Sequence, residues 1–165
     1  MSWNDKIEVK KGNLGEDIVK RWLHKKGLIV YEPVTDAPHA FDKLVSKGKD
    51  VLVIVEVKTK PRRMYYPDTG INIKHYNEYI KVSKKYDIPV CLFFVDEYLG
   101  QIYCGYLSEL SKAKRVKFKN KELTYPLKLR DIIYFYQPDM LVIHELSPKE
   151  VSEIKKYTTR KYDYG

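Results

Sequence analysis

Between residues 51 and 59 the chain reads Val-Leu-Val-Ile-Val-Glu-Val-Lys-Thr. Side chains alternate between faces along a strand, so Val51, Val53, Val55 and Val57 share one side. Leu52, Ile54, Glu56 and Lys58 share the other. The first face is wholly apolar and should meet helices. The second turns abruptly from apolar to a carboxylate and an ammonium, and a charge on a buried strand needs a partner. Upstream, Ala40-Phe-Asp-Lys-Leu-Val reads as a strand and Ser46-Lys-Gly-Lys-Asp as a turn, which predicts a hairpin. With the turn centred on Lys49, residue 42 faces residue 56, and directly opposed residues carry Cβ atoms ~5 Å apart on one face. Asp42 and Glu56 would then stand side by side. Two close carboxylates repel unless a cation lies between them. A hard divalent ion is the natural candidate, since Mg²⁺ commonly takes one or two carboxylates plus water and phosphate oxygens. The competing reading is an ordinary exposed cross-strand charge pattern.

A third carboxylate comes from a helix. Leu14, Ile18, Val19, Trp22 and Leu23 recur at helical spacing from near Asn13, and Gly27 stops the run. On that wheel Glu16 falls on the rim of the apolar stripe and Asp17 on the solvent side, so Glu16 can reach the sheet edge. A short strand (Leu28-Ile-Val-Tyr) follows, then a loop around Pro33, Asp36 and Pro38. After Lys58 comes a basic, aromatic loop. In it Lys60, Arg62 and Arg63 could meet phosphates, and Tyr65 and Tyr66 could stack on bases. The alternative is a solvated charge run with two half-buried tyrosines. Residues 72–86 read as a second helix, in which Lys74 is a further candidate nucleic-acid contact. Tyr76 and Tyr79 on that helix are expected in the core, with the lining of a nucleic-acid groove as their other reading. Ile88-Pro-Val-Cys-Leu-Phe-Phe-Val and Gln101-Ile-Tyr-Cys-Gly-Tyr-Leu form the next expected hairpin. Residues 112–121 are strongly basic and suggest an edge strand, either extending a nucleic-acid footprint or guarding against aggregation. Ile132-Ile-Tyr-Phe-Tyr and Met140-Leu-Val-Ile are candidate strands. Ser147-Pro-Lys-Glu predicts an N-cap, Pro at N1 and a capping box for a last helix running through Ile154 to Tyr157, ahead of a basic tail.

Composition narrows the class. Hydrophobic residues make up 44% and charged residues 32% of the 165, which fits one globular domain and argues against disorder. No repeat or linker divides the chain. No apolar run approaches the ~20 residues that span a bilayer, and the polar N-terminus lacks a secretory h-region. A cytoplasmic protein is expected, in the host cytoplasm if the source is viral. Cys91 and Cys104 lie in apolar or alternating segments and read as core fillers. The four histidines lack zinc-ligand spacing. Thirty-one basic against twenty-two acidic residues give a formal charge of +9, which suits a polyanionic partner.

The order Gly12-x-x-x-Glu16 on a helix, Asp42 on a strand and Glu56-Val57-Lys58 on the next resembles the PD-(D/E)XK nucleases. With Lys11 before Gly12, it looks most like the archaeal Holliday-junction resolvases. The likeness covers about residues 11–110 of a single nuclease domain spanning 1–165, leaving a C-terminal extension of about 111–165. Phe41, where the motif has proline, departs from it. The resemblance implies an α/β, restriction-endonuclease-like core: a central mixed sheet flanked by helices. It also implies a Mg²⁺-dependent endodeoxyribonuclease, with Mn²⁺ able to substitute. Asp42, Glu56 and the Val57 backbone oxygen would bind the metal, Lys58 would assist the attacking water, and Glu16 would add a metal or water contact. Junction resolvase and homing or restriction endonuclease are the expected activities, and a phage-type exonuclease shares the same chemistry. DNA is the expected partner and a homodimer the expected assembly. The alternatives are a nucleic-acid-binding protein on the same fold without catalysis and a protein-interaction domain.

Overall fold

The computed structural model of the protein describes residues 2, 5–34, 39–49 and 52–158. The apolar stripe expected from Asn13 onward belongs to a longer helix, α1 (Ile7–Lys25). It starts earlier than the stripe does, with Glu8 in its first turn favouring the positive end of the helix dipole. Gly27 ends it at φ +75°, a left-handed position that glycine adopts without strain. Strands β1 (Ile29–Tyr31), β2 (Lys43–Ser46) and β3 (Leu52–Thr59) come next. Asp36, Pro38, Asp50, Val51 and the basic tail from 159 onward lie outside the described residues.

Strand β4 (Asp68–Asn72) occupies the end of the segment that reads as loop. Its composition, Pro67-Asp-Thr-Gly, imitates a turn, yet Asp68 to Ile71 are all buried. Helix α2 (Ile73–Tyr86) is capped by the Asn72 side chain, which accepts from the Lys74 backbone N–H at 2.9 Å. Strands β5 (Val90–Asp96) and β6 (Gln101–Tyr106) form the expected hairpin, followed by the single turn α3 (Leu107–Leu110). The basic stretch is not one edge strand but most of a hairpin, β7 (Lys114–Phe118) and β8 (Lys121–Tyr125). Lys119 and Asn120 turn it at φ 45° and 64°. Strands β9 (Leu127–Leu129), β10 (Ile132–Tyr136) and β11 (Leu141–Glu145) lead to α4 (Pro148–Lys155). The capping box of Ser147 and Glu150 is present, and the helix ends at Lys155, ahead of the expected Tyr157.

The main sheet runs β1-β2-β3-β5-β6-β11, with β3 and β5 parallel and the other neighbours antiparallel. Every residue of β5 is buried. One face packs Val45, Val55, Val57 and Val95 against α1 and α4 through Ile18, Val19, Leu23 and Ile154. The opposite face packs Ile54, Leu92, Phe94 and Tyr103 against Tyr79 of α2. It also meets Ile71, Ile133 and Phe135 of a smaller sheet, β4-β10-β9. This is an α/β fold with a central mixed sheet between helices. Residues beyond 110 return strands to both sheets, β10 onto β4 and β11 onto β6. Cys91 is buried and Cys104 half-buried, both as free thiols. Among the described residues no helix is long and apolar enough to cross a membrane.

Candidate active site

The β2–β3 register pairs Lys43 with Val55, Leu44 with Ile54 and Val45 with Val53. One step further, Asp42 faces Glu56, although the strand itself begins at Lys43. The two residues are stitched together. The Asp42 backbone N–H donates to Glu56 Oε2 at 3.2 Å, and the Val57 N–H donates to Asp42 Oδ2 at 2.8 Å. In an extended strand the N–H and C=O of one residue point the same way, so the edge of Val57 facing Asp42 also carries its carbonyl. Glu56 is only 4% exposed. Its Oε1 accepts from Lys58 Nζ at 2.6 Å and from the Tyr79 hydroxyl. Tyr79 thus holds the carboxylate from the helix side, a role that its apolar position on α2 does not announce.

Glu16 arrives from the other face. Gly15 permits this approach: a Cβ built there would lie 1.8 Å from Thr59 Oγ1, so α1 crosses the end of β3 in near contact. Gly12, the glycine of the motif, faces open space and has no such constraint. A second anchor is the ion pair between Lys11 and the buried Glu97, just past β5. Glu16 Oε2 lies 3.4 Å from Lys43 Nζ, which also donates to Glu32 at 2.9 Å. Lys43 is 1% exposed, on the same face as Val45 and Val55. Its signal in the sequence is a lysine in register with an apolar face. Lys20 donates to Glu32 from the other side at 2.8 Å. Burial works against the Glu32 charge, yet Lys20 and Lys43 hold its carboxyl below the usual range.

Asp42 is short of positive charge. Burial, then the carboxylates of Glu56 and Glu16, push its pKa up from 3.8 to about 7, against the Val57 N–H and Lys58, which pull it down. His39 Nε2 stands 3.7 Å from its Oδ1. Among the described residues no three His, Cys, Asp or Glu side chains gather into a metal cage. The centre is a carboxylate pair with a backbone oxygen edge, a donor set that fits a hard ion completing its shell with water and phosphate. The electrostatic deficit at Asp42 is the kind that such an ion relieves.

The loop after Lys58 is more internally engaged than a solvated charge run. Lys60 Nζ donates to the Gly70 carbonyl at 2.8 Å, and the Arg62 backbone N–H donates to buried Asp96 at 2.9 Å. Arg63 makes two 2.6 Å bonds to buried Asp68 between the rings of Tyr66 and Tyr134. Its guanidinium therefore serves the loop's own structure. Tyr65 is 64% exposed and Lys74 is exposed at the start of α2, whereas Tyr66 packs on Phe118. The fold thus gathers Glu16, Asp42, Glu56, Val57 and Lys58, with Lys60–Tyr66 continuing from the same strand.

A mixed sheet between helices, with its carboxylate pair at the start of β2 and on β3, is a restriction-endonuclease-like fold. Among solved structures the chain is similar to Hjc, a Holliday junction resolvase from the archaeal hyperthermophile Archaeoglobus fulgidus. The TM-score is 0.55 at 10% identity, over 81% of this chain and 92% of that one. It also matches D212, a nuclease from a fusselovirus, at a TM-score of 0.38 and 13% identity over 88% and 89% of the two chains. The first likeness is one of fold, and the second is too slight to support a functional argument. No family model and no curated protein matches the sequence.

Proposed function

We propose that the protein is a Mg²⁺-dependent endodeoxyribonuclease, with Mn²⁺ able to replace Mg²⁺. The observation that carries this reading is the pairing of Asp42 with Glu56 on one face, with Lys58 beside Glu56. Asp42, Glu56 and the Val57 carbonyl would hold the ion. When bound, it would polarise the scissile phosphate and lower the pKa of a coordinated water.

The chain's own groups divide the remaining work. Lys58 is a compact cation on the Glu56 face, suited to orienting the attacking water or bearing on negative charge that grows at phosphorus. Tyr79 and the Asp42 N–H fix the Glu56 carboxylate, so that little reorganisation is needed at the moment of reaction. Lys43 holds Glu16 at the margin, within electrostatic reach of Asp42, from where it would add a metal or water contact. Lys60, Arg62, Tyr65 and Lys74 offer contacts to the DNA strand beyond. Four-way junctions are the first substrate to try, given the fold shared with a resolvase. A homodimer would present two such centres to one.

Asp42→Asn and Glu56→Gln are expected to lower Mg²⁺-dependent cleavage at least a hundredfold while leaving the far-ultraviolet circular dichroism unchanged. The assay offers supercoiled plasmid, linear duplex, a four-way junction and RNA, each with Mg²⁺ or with EDTA. Cleavage by both variants at the wild-type rate would refute the assignment. Binding of DNA with no cleavage under any divalent ion would make the protein a non-catalytic binder.

A further inference from the structure

The hairpin β7–β8 belongs to neither larger sheet. Residues 112–121 contain Lys112, Lys114, Arg115, Lys117, Lys119 and Lys121, and no acidic residue. The strand register sorts the hairpin into two faces. Lys114 with Tyr125, Val116 with Leu123 and Phe118 with Lys121 form one; Arg115 with Thr124 and Lys117 with Glu122 form the other. The first turns inward, with Tyr125 buried and Val116, Phe118 and Leu123 half-buried, although Lys114 and Lys121 at its two ends stay exposed. On the second, all four side chains are exposed. Lys112 and Lys114 are neutralised by Glu109 and Asp139. None of the ion pairs among the described residues engages Arg115, Lys117, Lys119 or Lys121. Glu122, opposite Lys117, is the one acidic side chain on that outer face.

The inner face is tied to the loop that leaves the active-site strand. Asp68, which holds Arg63, also accepts from the buried Tyr125 hydroxyl at 2.7 Å. Near the tip, Phe118 rests on Tyr66, with ring centroids 6.3 Å apart. Arg63 stacks on that same Tyr66 at 4.3 Å. Both ends of the hairpin are therefore fastened to the stretch that follows Lys58, at Tyr66 and at Asp68. A solvated charge run needs no such fastening, whereas an arm that presents charge at a set place does.

From this arrangement we propose that the β7–β8 hairpin is an arm that binds the phosphate backbone of duplex DNA through Arg115, Lys117, Lys119 and Lys121. Its purpose rests on the nuclease reading, because the Arg63–Asp68–Tyr125 tie joins the arm to the loop that continues from the Glu56 strand. Its binding does not rest on that reading. A two-stranded ribbon is narrow enough to enter the major groove, ~12 Å wide, and its exposed cations, on the outer face and at the tip, then meet the flanking phosphates. Each phosphate contact contributes about −0.9 to the slope of log affinity against log salt concentration.

The test measures binding of a labelled linear DNA duplex across a salt series, in EDTA, so that cleavage plays no part. Combined Arg115→Ala, Lys117→Ala and Lys121→Ala replacement is expected to flatten the slope by about 2–3. The control replaces Lys47, Lys84 and Lys85, exposed lysines at the opposite end of β3 and β5, and should keep the wild-type slope. If the triple hairpin variant folds poorly, Arg115→Ala alone should still flatten the slope by about 1. A hairpin variant with the wild-type slope overturns the proposal, as does an equal loss in the control. Failure of the wild-type protein to cut DNA with any divalent ion would count against the nuclease instead, and leaves this result standing.

Discussion

Asp42 carries the clearest energetic signature in the molecule. Its carboxyl faces Glu56, Glu16, Lys58 and His39, and in the metal-free protein its pKa lies near 7 rather than 3.8. For an acid whose folded pKa is raised, the native state retains a proton that the unfolded chain releases between those two values. That stabilising contribution is complete below about pH 4 and is lost as pH rises through 7. Metal-free wild type should therefore lose thermal stability relative to Asp42→Asn between pH 5 and pH 8, by several degrees at about 2–4 °C per kcal/mol. Added Mg²⁺ should raise the melting temperature more at pH 8 than at pH 6, since ion and proton compete for one carboxylate. Scanning calorimetry of both proteins checks this, and equal Mg²⁺ effects at the two pH values would contradict it. The Asp42–Glu56 pairing was legible from the sequence because a short hairpin is local and its side-chain period is two. Lys43 and Tyr79 were not legible as members of the site. Their partners lie 27 and 23 residues away, on helix and strand respectively.

At the scale of elements, the crossing of α1 over β3 decides whether Glu16 reaches the centre at all. Gly15 makes that crossing close, and an added methyl must displace either Thr59 or the helix. Gly15→Ala is expected to cost about 1–3 kcal/mol, the usual range for overpacking, and to lower cleavage as Glu16 moves outward. Thr59→Ala in the same chain should recover part of both losses. Denaturant melts and cleavage rates of the single and double variants test this; an unaffected Gly15→Ala protein would show that the helix yields freely. The capping box at Ser147 was readable because capping is a matter of neighbours in sequence. Strand β4 was not, since its Asp-Thr-Gly segment is extended only by pairing with β10, some 60 residues on.

Over the whole molecule, the division into a core ending near 110 and an extension beyond it does not match how the strands are distributed. β10 lies between β4 and β9, and β11 forms an edge of the main sheet beside β6. A chain cut after Leu110 should fail to unfold cooperatively, because β4 and β6 would each expose an unpaired edge and Phe135 and Ile154 would leave the two cores. Circular dichroism melting of the truncated protein checks this; a sharp transition at the wild-type temperature would restore the smaller core. Sequence alone determined what depends on near neighbours: helices and the capping box of the last one, two hairpins, and the register of the first, which brings two carboxylates face to face. Tertiary structure decided which charges are free. The guanidinium of Arg63, a candidate phosphate contact, is paired with buried Asp68 and stacked on Tyr134, whereas Arg115 and Lys117 keep open faces. A cation's availability depends on what the fold packs around it, and charge type and spacing do not encode that packing.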